Sequence, residues 1–331
     1  MVWAFVQAVA GLVALVFAGD VLVRGSVGLA ERLGVPSLII GLTIVAFGTS
    51  APELFVSVEA VLKGAPTLAL GNVVGSNIAN ILLVIGLPAL VAPMSCAAPR
   101  LTRNVLLMLA ITGAFLGLAA TGAFAWPQGL ILLTILTAFI LFNLHQARRN
   151  PSAAKDLVDL EEDLAKGLSV WQAVGLVGVG LVGLVIGADL LVGGAVTIAR
   201  ALGVDEAVIG LTLVAIGTSL PELVTALAAA LRSHCDVAVG NVIGSNIFNL
   251  LAIIGVSSLF GAIPVPPAFF HVDFWVMLAA SLALLPICLR RAVVGRPLGA
   301  MFLIAYVSYM AWLAQSGQMT GMAVDQAGLL P

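Results

Sequence analysis

"GLTIVAFGTSAPEL" at Gly41–Leu54 and "GLTLVAIGTSLPEL" at Gly210–Leu223 are two apolar runs, each interrupted by one Ser-x-Pro-Glu turn. They lie 169 residues apart. The same shift, without a gap, lays "GNVVGSNIANIL" (Gly71–Leu82) on "GNVIGSNIFNLL" (Gly240–Leu251), Asp20 on Asp189, and the "LGV" at 33–35 on the "LGV" at 202–204. Between Gly41–Leu87 and Gly210–Val256, 25 of 47 positions are identical. The matches fall on Gly, Asn, Ser, Pro and Glu rather than on Leu and Val, so they mark a duplicated unit and not two generic apolar helices.

Working outward, the composition places that unit in lipid. The chain is 61% hydrophobic and 9% charged, where a soluble domain has about a quarter of its residues charged. A helix crossing the bilayer needs about 20 apolar residues. Such runs predict ten spans, at 3–23, 37–62, 67–92, 103–121, 127–146, 171–192, 206–231, 236–260, 271–290 and 297–315. A transmembrane barrel would alternate apolar and polar residues, and these runs are continuously apolar. The first run lacks a basic start and a small-residue cleavage site before a soluble domain, so it is expected to be a retained helix rather than a secretory signal.

Five spans per copy is an odd number, so the second copy enters the membrane from the opposite face. The expected fold is therefore all-α and integral to the membrane, with ten transmembrane helices in two inverted-topology repeats, a plan of secondary transporters. The first repeat occupies residues 1–146, a linker 147–170 and the second repeat 171–331. The linker holds the longest hydrophilic stretch, with "DLVDLEEDL" at Asp156–Leu164. On this count Arg24, Arg32, Arg100, Arg103, Arg148, Arg149, Lys155, Lys166, Arg232, Arg290, Arg291 and Arg296 share one face, and only Lys63 and Arg200 the other. Basic loops stay cytoplasmic, so the expectation is a multi-pass cell-membrane protein with both termini outside and the linker cytoplasmic.

The chemistry sits in the duplicated turns. Glu53 and Glu222 each fall near mid-span, where a charge costs about 3 kcal/mol or more unless it is paired or faces a cavity. Pro52 and Pro221 remove a helical hydrogen bond, Gly48 and Gly217 loosen the same turn, and the carbonyls released there are hard oxygen ligands. Ser50 and Ser219 have two compatible readings, as capping-box residues for the half-helix that follows and as ligands. The Asn-rich blocks add neutral oxygens. Ser76 and Asn80 share one helical face, as do Ser245 and Asn249, whereas Asn72, Asn77, Asn241 and Asn246 also suit helix–helix packing. Brought together about a pseudo-twofold axis, these groups form an all-oxygen site for hard cations, with no thiolate or imidazole to favour zinc or copper. Two carboxylates balance one Ca2+ or two Na+. With neither bound, repulsion between them makes a proton a third competitor.

"GTSAPE…GNVVGSNIAN" and "GTSLPE…GNVIGSNIFN" resemble the two alpha-repeats of the cation/calcium exchanger superfamily, and among its members the prokaryotic sodium/calcium antiporters. The resemblance extends over the whole chain in span number and spacing. It implies an ion cage of Glu53, Glu222, the hydroxyls of Ser50, Ser76, Ser219 and Ser245, and Asn80, joined by the backbone oxygens of Ala46, Thr49, Ala215 and Thr218. It also implies that the first and sixth helices slide across a core of the other eight. Asn249, the counterpart of Asn80, stands where some prokaryotic members carry Asp, which leaves this site one carboxylate fewer and bears on the sodium number and on potassium or proton coupling.

The function expected is Ca2+/Na+ antiport by alternating access, without enzymatic activity or cofactor. The partners expected are inorganic cations (Ca2+, Na+, and H+ or K+) and the bilayer, with no nucleic acid and no implied oligomer. Ca2+/H+ or another cation antiport on the same scaffold is the nearest rival. An intramembrane aspartyl hydrolase using Asp20 and Asp189 is a distant one, because those residues fall at opposite faces. Cys96, Cys235 and Cys288 form no CxxC pair, and His145, His234 and His271 are scattered near span ends, so no disulfide framework and no histidine metal site is expected.

Overall fold

The computed structural model describes residues 2–34, 37–95, 101–149, 168–202 and 215–315. Cys96, Arg100, Lys155, Lys166, the acidic stretch 156–164 and the beginning of the expected span 206–231 lie outside them. In chain order the helices are α1 (Val2–Leu33), α2 (Ser37–Ile40), a π-helix (Gly41–Val45), α3 (Ala46–Thr49), α4 (Ala51–Leu62), α5 (Pro66–Leu82), α6 (Gly86–Val91), α7 (Leu101–Ala119) and α8 (Trp126–Arg149). The second half has α9 (Val170–Ala201), α10 (Ala215–Thr218), α11 (Leu220–Leu231), α12 (Cys235–Phe248), a second π-helix (Asn249–Ile253), α13 (Ile254–Phe260), α14 (Pro267–His271), α15 (Asp273–Leu289) and α16 (Arg296–Gln315).

Every expected span coincides with one or more of these helices. Among the described residues six helices are long and apolar enough to cross a membrane by length and composition, or seven if the bent pair Gly41–Thr49 and Ala51–Leu62 is one span. The outside of the molecule is correspondingly apolar. Phe17, Phe55, Trp171 and Ile304 are each more than 60% exposed, a surface that only lipid solvates well.

Two helices outrun their expected limits. The run 3–23 is part of a helix that continues to Leu33, and the run 171–192 one that continues to Ala201. At 1.5 Å per residue each is about 48 Å long, well beyond the ~30 Å hydrocarbon core. Hydropathy marks where lipid ends and not where the backbone stops being helical. In α1 the stop is Gly34, at φ +62°, whose N–H bonds Glu31 O at 3.2 Å, a left-handed cap for which glycine is suited.

α1 and α9 pack on each other through glycine. A Cβ added at Gly11 would lie 2.3 Å from Leu191 N, and one at Gly180 2.8 Å from Leu22 Cα. The same at Gly25 would meet Val177 N at 2.7 Å, and at Gly194 Ala8 N at 2.7 Å. Every member of one contact sits 169 residues from its counterpart in the other, so the pair obeys the pseudo-twofold of the repeat. In lipid, helices gain little from apolar burial alone, and small residues allow the close approach that holds them. Leu15, Ala18, Leu22, Ala173, Val177 and Leu184 accordingly form an apolar cluster apart from the main core.

The main core centres on α5, α7, α11, α12 and α15, with Phe115, Phe124 and Phe274 among its largest buried side chains. Two short antiparallel clasps close its ends. Strand β1 (Met94–Ser95) pairs with β4 (Val293–Val294), and β2 (Ala123–Phe124) pairs with β3 (Ile263–Pro264). The clasps occupy equivalent places in the two repeats, and their registers differ by one residue from exact twofold equivalence.

Candidate cation site

Each repeat breaks its second span at a serine. Ser50 (φ −84°, ψ 3°) separates α3 from α4, and Ser219 (φ −91°, ψ 5°) separates α10 from α11. In the first repeat the axis turns by 48° there. Pro52 and Pro221 begin the new half-helix rather than interrupting an old one. At that position the missing N–H costs nothing and the fixed φ favours the helix. The capping-box reading is not adopted, because neither serine side chain bonds the amides of its own half-helix. The π-helix at Gly41–Val45 was not legible in the sequence. It accompanies a close approach in which a Cβ at Gly41 would lie 2.9 Å from Val237 O.

Glu53 and Glu222 stand in the first turn of α4 and α11, and each is 1% exposed. A helix N-terminus stabilises a carboxylate by about 0.3–1 kcal/mol, at most about 2 when partly buried. Placing a charge at bilayer depth costs about 3 kcal/mol or more. The dipole alone therefore does not offset burial, and the two carboxylates lie close enough to repel each other. The arrangement calls for cations.

The surrounding groups are oxygens from both repeats. Ser50 Oγ donates to Glu222 Oε1 at 3.3 Å. Thr49 Oγ1 donates to Asn241 Oδ1 at 3.2 Å and lies 3.4 Å from Ser245 Oγ. Glu53 Oε2, Glu222 Oε2, Asn80 Oδ1, Asn249 Oδ1 and Ser219 Oγ are buried and engage no hydrogen-bond donor or acceptor. Buried polar atoms are nearly always satisfied, so these five oxygens in the duplicated segments are candidate ligands. Among the described residues no group of three or more His, Cys, Asp and Glu is placed to hold a metal ion, and the oxygen donors of the duplicated segments suit hard ions.

Of the residues singled out in the sequence, Ala46, Thr49, Ser50, Glu53, Ser76, Asn80, Ser219, Glu222, Ser245 and Asn249 are all buried. Thr218 is half-buried, and Ala215 opens α10. The Ala46 carbonyl already accepts from Ser50 N at 3.0 Å and from Thr49 Oγ1 at 3.3 Å. Two of the asparagines, Asn72 and Asn246, follow the packing alternative by bonding across helices, and Asn77 bonds back to its own helix. Asn72 donates to Ser57 Oγ at 3.1 Å, Asn77 to Val73 O at 2.7 Å, and Asn246 to Asn77 O at 3.4 Å while accepting from Asn80 at 3.1 Å. Asn241 is the support that sequence reasoning undervalued. Its signal was its place one turn before Ser245, on the same helical face.

The family model described as Sodium/calcium exchanger protein matches residues 3–145 and 172–315. This chain belongs to the sodium/calcium exchanger family. The exchanger is 32% identical over 338 residues to the Sodium/calcium exchanger MaX1 of Methanosarcina acetivorans, across 92% of this chain and 96% of that protein. It is 34% identical over 308 residues to the Inner membrane protein YrbG of Escherichia coli, across 92% and 95% of the two chains. It also superposes on the solved structure of the sodium-calcium exchanger NCX_Mj soaked with 2.5 mM Na+ and 0.1 mM Ca2+, with a TM-score of 0.80, 34% identity and coverage of 94% and 98%. As an exchanger rather than an enzyme, the protein has ions as substrates and no cofactor. The aspartyl hydrolase reading fails on its geometry too, because Asp20 is ion-paired with Arg232 and Asp189 is exposed on another helix.

Proposed function

We propose that this exchanger moves Ca2+ against Na+ across the cell membrane by alternating access at the Glu53–Glu222 cluster. The observation that carries the reading is the pair of buried carboxylates on twofold-related half-helices, each with an oxygen left unengaged. Two formal charges balance one Ca2+ or two Na+, and the neutral oxygens of Ser50, Ser219, Ser76, Ser245, Asn80 and Asn249 complete either shell. Backbone oxygens of Ala46, Thr49, Ala215 and Thr218 join them. Sodium as the coupling ion is supported by the names of MaX1 and NCX_Mj. Residues 1–146 and 171–331 act as the two inverted repeats, with the linker 147–170 cytoplasmic and both termini outside.

Purified protein in proteoliposomes tests this directly. Radioactive Ca2+ uptake is expected to follow an imposed outward Na+ gradient and to ignore a pH gradient of equal size. Uptake that follows pH and ignores sodium would replace the proposal with Ca2+/H+ antiport.

A further inference from the structure

Asp20 on α1 and Arg232 at the end of α11 form an ion pair, both partly buried. The shift of 169 residues that relates the repeats carries Asp20 onto Asp189 and Lys63 onto Arg232. The twofold-related pair is therefore Asp189 with Lys63. In this structure it is not made. Asp189 is exposed and has no partner among the described residues, and Lys63 instead holds Glu59 at 2.6 Å, one turn back on α4.

The packing shows the same asymmetry. α1 lies along α11, where a Cβ at Gly19 would come within 2.7 Å of Val224 Cγ1 and 3.5 Å of Ala228, and α9 makes no comparable contact with α4. Gly48 faces Leu181 of α9. Twofold symmetry would set Gly217 against Leu12 of α1, yet Gly217 faces Val192 of α9. The α1/α9 pair is twofold-symmetric within itself, and the pair as a body is displaced to one side of the core.

We propose that Asp20–Arg232 and Asp189–Lys63 are the two arms of one alternating latch, each made in one of the two access states. The inference rests on the alternating-access reading above. With the pair displaced as observed, the arm on the face proposed as cytoplasmic is closed. When α1 and α9 move to the twofold-related position, Arg232 is released and Asp189 reaches Lys63 on the outer face. Lys63 gives up little in exchanging Glu59, because an exposed pair one turn apart on a helix contributes little. The arms are unequal by sequence. The counterpart of Glu59 is Ala228, which lies against Gly19 in the inner arm, so the outer arm carries a competing carboxylate at a position where the inner arm has a methyl group. Two like charges contending for one lysine weaken that arm, and the resting exchanger favours the state with the inner arm closed.

The test uses full-length protein in proteoliposomes, with native cysteines replaced by serine and a short, reducible bifunctional thiol reagent. The variants D20C/R232C and D189C/K63C are expected to exchange when reduced and to lose exchange when cross-linked. The first is expected to keep Ca2+ binding from the outer side only, and the second from the cytoplasmic side only. Failure of D189C/K63C to cross-link under any Na+ or Ca2+ gradient overturns the latch, as does undiminished exchange by cross-linked D20C/R232C. If a cysteine pair does not insert, the charge-swapped pairs decide. D20R/R232D and D189K/K63D are each expected to recover exchange lost in D20R or D189K alone, and absence of recovery refutes that arm. Exchange by the reduced variants that follows pH instead of sodium would overturn the coupling ion and leave the latch standing, because cross-linking reads access and not the driving gradient.

Discussion

Replacing Glu222 with glutamine changes one oxygen to an amide nitrogen with almost no change of volume, and it separates ligand chemistry from packing. Removing one partner of a buried ionic contact costs about 3–5 kcal/mol, and 1.4 kcal/mol is tenfold in affinity. The Ca2+ dissociation constant of Glu222→Gln should therefore rise by about two to three and a half orders of magnitude. The ion-free protein should respond in the opposite direction. Its two carboxylates repel each other, each has a buried unengaged oxygen, and the glutamine oxygen still accepts from Ser50 Oγ. Thermal unfolding in sodium- and calcium-free detergent buffer should thus occur at an equal or higher temperature than in the parent. Ligand stabilisation follows RT ln(1 + [L]/Kd), so Ca2+ at a thousandfold excess over the parent Kd adds about 4.1 kcal/mol to the parent and about 0.4 kcal/mol to a variant a thousandfold weaker. Calorimetric titration with Ca2+ and thermal unfolding with and without the ion read both effects on one preparation. A variant that binds Ca2+ within tenfold of the parent, or one less stable without ions and equally stabilised by them, refutes the reasoning.

Other perturbations address the rest of the structure. Gly180→Ala should reduce both thermal stability and exchange, because its Cβ meets the backbone of Leu22 at 2.8 Å, whereas Gly178→Ala on the same helix meets nothing within 4 Å and should be neutral. Thr49→Val, close in shape, unpairs Asn241 Oδ1 and should cost about 1–3 kcal/mol in unfolding free energy, the penalty of a buried unsatisfied group. Asn249→Asp adds a third carboxylate beside Glu53 and Glu222. Three buried acids hold a proton more firmly than two, so exchange by this variant should fall more steeply than that of the parent as pH drops from 8 to 6 in a flux assay.

Much of the candidate site was legible because duplication repeats it. Glu53 and Glu222 are costly residues in apolar runs, and their equivalent places in the two copies point to a shared role. The breaks at Ser50 and Ser219 were legible from the prolines two residues on, although their position at the serine itself was not, since proline can interrupt or begin a helix and its surroundings decide which. The π-helices at 41–45 and 249–253 left no such sign, because an added residue per turn is imposed by neighbouring helices rather than by local preference. The long ends of α1 and α9 were missed for a related reason, as polar residues such as Arg24 leave lipid without leaving the helix.

The roles of Asn72, Asn77, Asn241 and Asn246 show where sequence reasoning stops. All four sit in the duplicated blocks with similar neighbours, yet Asn241 supports the Thr49 hydroxyl while Asn77 bonds its own helix. By itself the sequence determined that the chain lives in lipid, that it is built twice, and that each copy carries one carboxylate at an equivalent place in an apolar run. Those conclusions need only composition and identity at a fixed shift. Only the tertiary structure decided which half is engaged, with Ser50 reaching Glu222 while Ser219 Oγ bonds nothing, and Asp20 holding Arg232 while Asp189 and Lys63 stay apart. A duplicated sequence is compatible with either of two related positions of α1 and α9, and contacts between residues far apart in the chain select between them.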